Sequence, residues 1–376
     1  MAIMSGKPSL SFVAFGNIVL AMFILSACSG GGASGSGDSG SPSSGDTGAT
    51  RILFVGNSFT HGRYAPIRQY NSGGSASEAG GSVLVIDENE SASGARAEDS
   101  EPGPYGGIPG LFAEFAVEAG LNYEVHIEAI SSATLQTHIS AARDVIVNTK
   151  WDAVVLQEQS TKPLPAALAN GGNSNPAGFC TSVQTLDDSI HDAAPSAAIY
   201  LYETWPRADG AKALVGDSAQ AGFDAVYADA LATLGDAYHD AYYRAAALAA
   251  GVRAVAPVGE AWQRAWAQGV AESNPYTGSS GLPSLWYGIN IDNDPAISAP
   301  DRYHPSIYGA YLSALVLFQQ ITGTDVQILG PDESAAIGLG IPGAVAAQLQ
   351  QVASQTVAVE SSVLRGSTVD PCVTTH

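Results

Sequence analysis

Basic residues are scarce in this chain of 376 residues: 15 Lys and Arg stand against 36 Asp and Glu, for a formal net charge of −21. No stretch forms a basic stripe, so the electrostatic footprint of a nucleic-acid-binding protein is missing. The acidity bears on solubility and on repulsion from anionic surfaces, and says nothing of the fold. Cysteine is nearly absent, with three in the whole chain. There is no CxxC pair, no HExxH helix, no Walker loop and no Gly-x-Gly-x-x-Gly after a strand, which removes the familiar motifs for zinc, nucleoside phosphates and dinucleotides. Asp292-Asn293-Asp294 hints at calcium but lacks the glycine and closing glutamate of an EF-hand loop. No metal and no organic cofactor is implied.

What the chain does contain begins with a leader. Lys7 is followed by an apolar run from Leu10 to Ala27, short for a transmembrane helix and ordered like a signal peptide. It ends in Leu25-Ser26-Ala27-Cys28, which resembles a bacterial lipobox. That resemblance implies cleavage before Cys28, lipid on its thiol and attachment to a membrane of the cell envelope. Ser29 in place of an aspartate is consistent with sorting to an outer membrane, and a plain signal peptide or an uncleaved anchor is the alternative. Residues 28–50 are Gly/Ser-rich and read as a flexible tether. In an exported chain Cys180 and Cys372 form a disulfide or remain two separate thiols.

From Arg51 onward the composition, 45% hydrophobic over the whole chain, is that of a globular protein with a sizeable core. Ile52-Leu53-Phe54-Val55 reads as a fully buried parallel strand ending at the Gly56-Asn57 turn. Further strands are expected at Tyr123–Ile130, Trp151–Leu156, Ala197–Tyr202 and Val252–Val258. Helices are expected at Ile108–Ala119, Leu135–Val147, Asp187–Ala193, Ala219–Ala250, Glu260–Gln268 and Pro305–Ile321. The alternation predicts an α/β domain over residues 51–330 with helices on both faces of a parallel sheet. Residues 71–107 read as an insertion carrying one apolar island, Val83 to Ile86, with the potential of a substrate-side lid. Residues 331–376 read as a peripheral tail with helical spacing around Ala344 to Val357.

Two stretches carry chemistry. Ser58 follows the first strand at the carboxyl edge of the sheet, where open α/β sheets hold their ligand crevice, with a helix N-terminus behind it. The plainer reading of Ser58 is a helix N-cap. Asp301-Arg302-Tyr303-His304-Pro305 precedes the last strong helix, with Pro305 suited to its first turn. A carboxylate three residues before an imidazole fixes its tautomer and stabilises the imidazolium, leaving the other ring nitrogen for a serine proton. His61, on the helix of the serine turn, reads as a rim residue.

Together, the strand-ending Gly-Asn-Ser and the late Asp-x-x-His-Pro resemble the GDSL/SGNH hydrolase superfamily over about residues 51–323. The resemblance implies a three-layer flavodoxin-like sandwich with a central parallel sheet. It implies Ser58 as nucleophile, His304 as general base and Asp301 as its partner. It implies an oxyanion hole from the N–H groups of Ser58 and Ser132, with Ala133 the other option for the family's glycine. A side-chain amide from Gln159, or from Gln157, stands where the family has asparagine. Trp205, after the fourth strand, reads as a pocket wall or a structural plug, and Asn57 as a substrate contact. The implied activity is that of an exported serine esterase acting on short acyl esters, acetylated glycans among them. The two departures in the middle blocks leave a non-catalytic carbohydrate-binding envelope lipoprotein as the alternative.

Overall fold

The computed structural model describes residues 48–73, 84–97, 101–278, 280–288, 301–366 and 370–373. The leader, Cys28, nearly all of the tether, and Asp292-Asn293-Asp294 lie outside the described residues. No helix among the described residues is long and apolar enough to cross a membrane.

Among the described residues six strands form one all-parallel sheet: β1 (Thr50–Gly56), β2 (Ile86–Asp87), β3 (Tyr123–Ala129), β4 (Ala153–Leu156), β5 (Ala198–Tyr202) and β6 (Val252–Ala256). Their order is β2-β3-β1-β4-β5-β6. The helices are α1 (Ser58–His61), α2 (Gly107–Glu118), α3 (Leu135–Ala141), α4 (Arg143–Ile146), α5 (Pro176–Ala193), α6 (Ala208–Val215), α7 (Phe223–Leu248), α8 (Val258–Ala267), α9 (Ile307–Thr322), α10 (Ser334–Leu339) and α11 (Gly343–Ala358). They cover both faces, with α2 against α9 on one side and α3, α5 and α7 in succession on the other. Without the short edge strand β2 this is the flavodoxin-like order, a three-layer sandwich whose ligand crevice falls where the strand order reverses. Here that place lies between the carboxyl ends of β1 and β4.

The sheet follows from burial. Ile52, Leu53, Phe54 and Val55 are all buried, because β1 pairs with β3 on one side and β4 on the other. A strand covered on both edges and both faces takes a continuous apolar run. The island before the insertion's end makes only β2. Val85 points inward while Leu84 and Ile86 stay exposed, the alternation of a strand at a sheet edge.

Several elements differ from expectation. The helix expected at Asp187–Ala193 begins at Pro176, where Asn175 caps it and proline takes the first turn. The stretch Leu135–Val147 divides into α3 and α4 at Ala142. The last strong helix starts at Ile307 with Ser306 as its cap, so Pro305 sits before it and bridges to Trp286. Residues 331–376 are not a peripheral tail. Ala346, Leu349, Val352 and Ala353 of α11 are fully buried, and α11 packs on α8 and α9. The chain beyond α11 then returns along α7. Arg365 and Gly366 N–H groups bond Asp240, Asp370 pairs with Arg244, and Cys372 joins Cys180 of α5 in a disulfide closing 192 residues.

Candidate active site

Ser58 opens α1 immediately after β1. Asn57 caps that single turn: its Oδ1 accepts Phe59 N–H at 3.0 Å, and its Nδ2 donates to Ala133 O at 2.9 Å. Asn57 is 2% exposed with both ends of its amide engaged, so it holds the turn and does not face substrate. Gly56 is needed at the strand end, since a Cβ there would overlap Thr60 Oγ1 and Gln157 Oε1.

Ser58 Oγ lies 2.7 Å from His304 Nε2, and His304 Nδ1 lies 2.7 Å from Asp301 Oδ2. The two halves of this chain of hydrogen bonds are 246 residues apart in sequence. Asp301 Oδ1 accepts the N–H groups of Tyr303 (3.0 Å) and His304 (2.9 Å), which locks the turn before α9. Tyr64 donates its hydroxyl to Asp301 Oδ2. Burial pushes the Asp301 carboxyl up, but His304, the backbone N–H and Tyr64 together outweigh it and hold it below the ordinary carboxylate range. Burial lowers the His304 imidazole further than Asp301 raises it, so the ring is neutral at neutral pH and available as a base. Ser58 itself is 6% exposed.

The turn after β3 lies beside the serine. Ile130 N–H bonds Gly56 O, and the ring of His138 bonds the same oxygen at 2.7 Å. Ser132 sits there at φ +64, the left-handed conformation that favours glycine, and is exposed. Among the described residues neither Ser58 N–H nor Ser132 N–H has an acceptor, so both are free donors, whereas Ala133 N–H bonds Ile130 O. The two glutamines after β4 separate by role. Gln157 is fully buried, and its Oε1 accepts Asn57 N–H (3.0 Å) and Thr60 Oγ–H (2.9 Å), bracing the serine turn from below. Gln159 is half-buried. Its Oε1 accepts from Thr161 and Lys162, leaving the Nε2 donor without a partner among the described residues. Glu158, between them, ties the two loops together by accepting from Leu135 and Gln159 N–H.

Two expected residues stand elsewhere. Trp205 is fully buried, stacked between Phe59 (4.7 Å) and Trp262 (4.1 Å), with its indole N–H on Tyr303 O. It is a plug behind the triad and not a pocket wall. His61 is no rim residue: it is fully buried, stacked on Tyr105 at 4.3 Å, and bonds Ser131 through Nε2. Ser131 in turn donates to Glu101, which pairs with Arg63. The far end of the insertion is thereby fastened to the oxyanion-side turn. Sequence reading missed Tyr64, Arg63 and Glu101; no spacing rule singles them out.

A flavodoxin-like α/β sandwich with a Ser–His–Asp relay at the carboxyl edge of its sheet is what the fold and site define. No protein-family model and no curated protein matches the chain. Among solved structures it is similar to a DUF4886 family protein from Bacteroides uniformis (15% identity, covering 82% of this chain and 95% of that one, TM-score 0.47). It is similar also to phospholipase A1 from Streptomyces albidoflavus (13%, 73% and 99%, TM-score 0.40). A further likeness is to an acetyl-xylooligosaccharide esterase from Geobacillus (13%, 73% and 94%, TM-score 0.40).

Proposed function

We propose that the chain is a serine ester hydrolase of the SGNH type. The observation that carries this is the relay from Ser58 Oγ through His304 to Asp301, at 2.7 Å in each link. Ser58 Oγ attacks the ester carbonyl carbon while His304 Nε2 takes its proton. The negative oxygen is received by the N–H groups of Ser58 and Ser132 and by Gln159 Nε2. Asp301 stabilises the imidazolium, which returns the proton to the departing alcohol. Water then attacks the acyl-Ser58 carbonyl, His304 takes one of its protons, and the acid leaves as Ser58 regains its hydrogen. No cofactor takes part.

A nucleophile only 6% exposed favours a small acyl group, acetyl above all. The surroundings favour a polar alcohol such as a glycan: the half-buried rings of Tyr64 and Tyr303 stand near the triad, with Arg63 and Arg207 over them. Export and lipidation at Cys28 belong to the same reading, and the Cys180–Cys372 disulfide supports an oxidising compartment. Ser58→Ala is expected to abolish hydrolysis of p-nitrophenyl acetate without loss of fold, and a fluorophosphonate is expected to label Ser58. Wild-type activity in Ser58→Ala removes the serine mechanism. An unlabelled wild-type chain that still binds glycan leaves a binding protein instead. Cys28→Ala is expected to release the protein from membranes.

A further inference from the structure

A second group of buried ionisable side chains lies beyond β5, under the segment that follows α11. Glu203 comes directly after β5 and is fully buried, and neither of its carboxylate oxygens has a hydrogen-bond partner. The backbone N–H of Glu260 faces it without reaching hydrogen-bond geometry. His239, from α7, is fully buried, and Glu260 comes from α8. One donor atom from each of the three residues lies within 4.8 Å of the others. His239 Nδ1 stands 2.7 Å from Glu260 Oε1, and its Nε2 stands 3.1 Å from the Val363 carbonyl oxygen. Arg365 reaches Glu260 Oε2 at 2.7 Å. Glu360 is close by, accepting from the Tyr243 hydroxyl and the Gln320 amide.

The polar atoms of this group are not all paired among the described residues. A carbonyl only accepts, so the hydrogen of His239 sits on Nε2. Nδ1 of a neutral ring then turns a lone pair toward a carboxylate that also only accepts. Something positive belongs between them. A proton there pairs His239 with Glu260 but leaves both Glu203 oxygens without a hydrogen-bond partner. A divalent ion in its place gives Glu203, Nδ1 and Glu260 a common partner.

We propose that Glu203, His239 Nδ1 and Glu260 form a binding site for a divalent cation of zinc's class. One imidazole nitrogen with two carboxylates is a zinc donor set; donors around a tetrahedral zinc stand about 3.4 Å apart, so the 2.7 Å His239–Glu260 pair opens by roughly 0.7 Å to admit the ion. The Nε2–H bond to Val363 O is the outer contact by which a metal-bound histidine is ordinarily oriented. A cleft of about 310 Å³ lined by Glu260, Gln263, Arg264, Ala267, Gln268 and Arg365 opens on the Glu260 side of the group. The role is structural. Val363 and Arg365 both hold on to ligands, so the ion fastens the returning C-terminal segment. The three ligands come from three separate elements, which is why no spacing motif announces them.

The test is equilibrium dialysis of the purified full-length chain against zinc, with metal counted by mass spectrometry, beside melting curves with and without EDTA. One zinc per chain is expected, with a melting temperature that drops on EDTA and recovers with zinc. Glu203→Gln and His239→Gln are each expected to weaken zinc binding by about tenfold or more. Glu333→Gln, at a buried acid elsewhere, is expected to leave it unchanged. A wild-type chain that takes up no zinc and melts alike in both conditions carries a proton there instead, and the proposal falls. Zinc uptake that survives both ligand substitutions places the ion elsewhere and overturns it equally.

Discussion

Tyr64 donates its hydroxyl to Asp301 Oδ2 at 2.7 Å, the same oxygen that faces His304 Nδ1. Its bond draws negative charge away from the oxygen that must steady the imidazolium, so it trims the basicity of His304. Tyr64→Phe removes that bond and keeps the ring stacked on Tyr287 at 3.7 Å. Asp301 then attracts the imidazolium more strongly, His304 becomes easier to protonate, and the acid limb of kcat/KM moves to higher pH. The plateau is expected to fall by about 1 kcal/mol, or roughly fivefold, as positioning loosens. A pH–rate profile superimposable on wild type would show the tyrosine to be mere packing.

The wild-type acid limb itself is predicted to lie below the ordinary histidine range. Burial disfavours the charged ring and outweighs Asp301, so the neutral base persists as the pH is lowered. Asp301→Asn removes the carboxylate bonded to the ring, and kcat is expected to fall by about 10⁴. Steady-state kinetics from pH 4.5 to 8 measure both effects.

The two glutamines after β4 are predicted to fail differently. Gln159→Ala removes the side-chain donor proposed for the oxyanion and is expected to lower kcat by about 10²–10³ with little change in melting temperature. Gln157→Leu leaves Asn57 N–H and the Thr60 hydroxyl unpaired and buried. Its cost is expected to appear as about 1–3 kcal/mol of stability for each orphaned group. Ser132→Gly preserves the N–H and suits φ +64, so activity is expected to remain near wild type. Equal losses of stability in both glutamine variants would contradict the assignment.

Two buried carboxyls are predicted to withdraw stability as the pH climbs toward neutral. Burial pushes the Glu158 carboxyl up to about 7 against an ordinary 4.5, although Gln159 and Leu135 N–H groups pull the other way. Burial raises Glu333 to about 7 as well. A carboxyl raised on folding stabilises fully below its unfolded value and loses that contribution as the pH climbs through the folded one. For Glu158 the contribution is at most on the order of 3 kcal/mol. Burial holds His61, His138 and His304 below the ordinary histidine range, and they pull the other way over the same interval. The carboxyl part is therefore read as a difference: the urea midpoint of Glu158→Gln minus that of wild type should rise between pH 4.5 and 8. A difference that falls over this interval would be the wrong sign.

Much of the frame was legible because burial on all sides writes itself as uninterrupted apolar runs. Ile52–Val55 and Val154–Leu156 are such runs, and a small residue or polar turn after each marks the edge where a site is built. Asp301 and His304 were legible as a local spacing. Side-chain direction was not: Trp205 stands at the expected sheet edge but turns inward onto Phe59. The helical spacing at Ala344–Val357 was legible and is α11, but its packing was not, because alanine and glutamine dilute the apolar stripe, although Leu349 and Val352 are wholly buried. Tyr64 and Glu101 act through contacts between distant loops, and one-dimensional periodicity carries no trace of those.

The separation of 246 residues between Ser58 and its proton acceptor has a consequence for the newly made chain. The hydroxyl is synthesised early, at the start of α1, while the imidazole arrives only with the turn that precedes α9. Until that turn docks, Ser58 has no imidazole to take its proton, so under the proposed mechanism a fragment cut short before His304 is expected to be inert toward a fluorophosphonate.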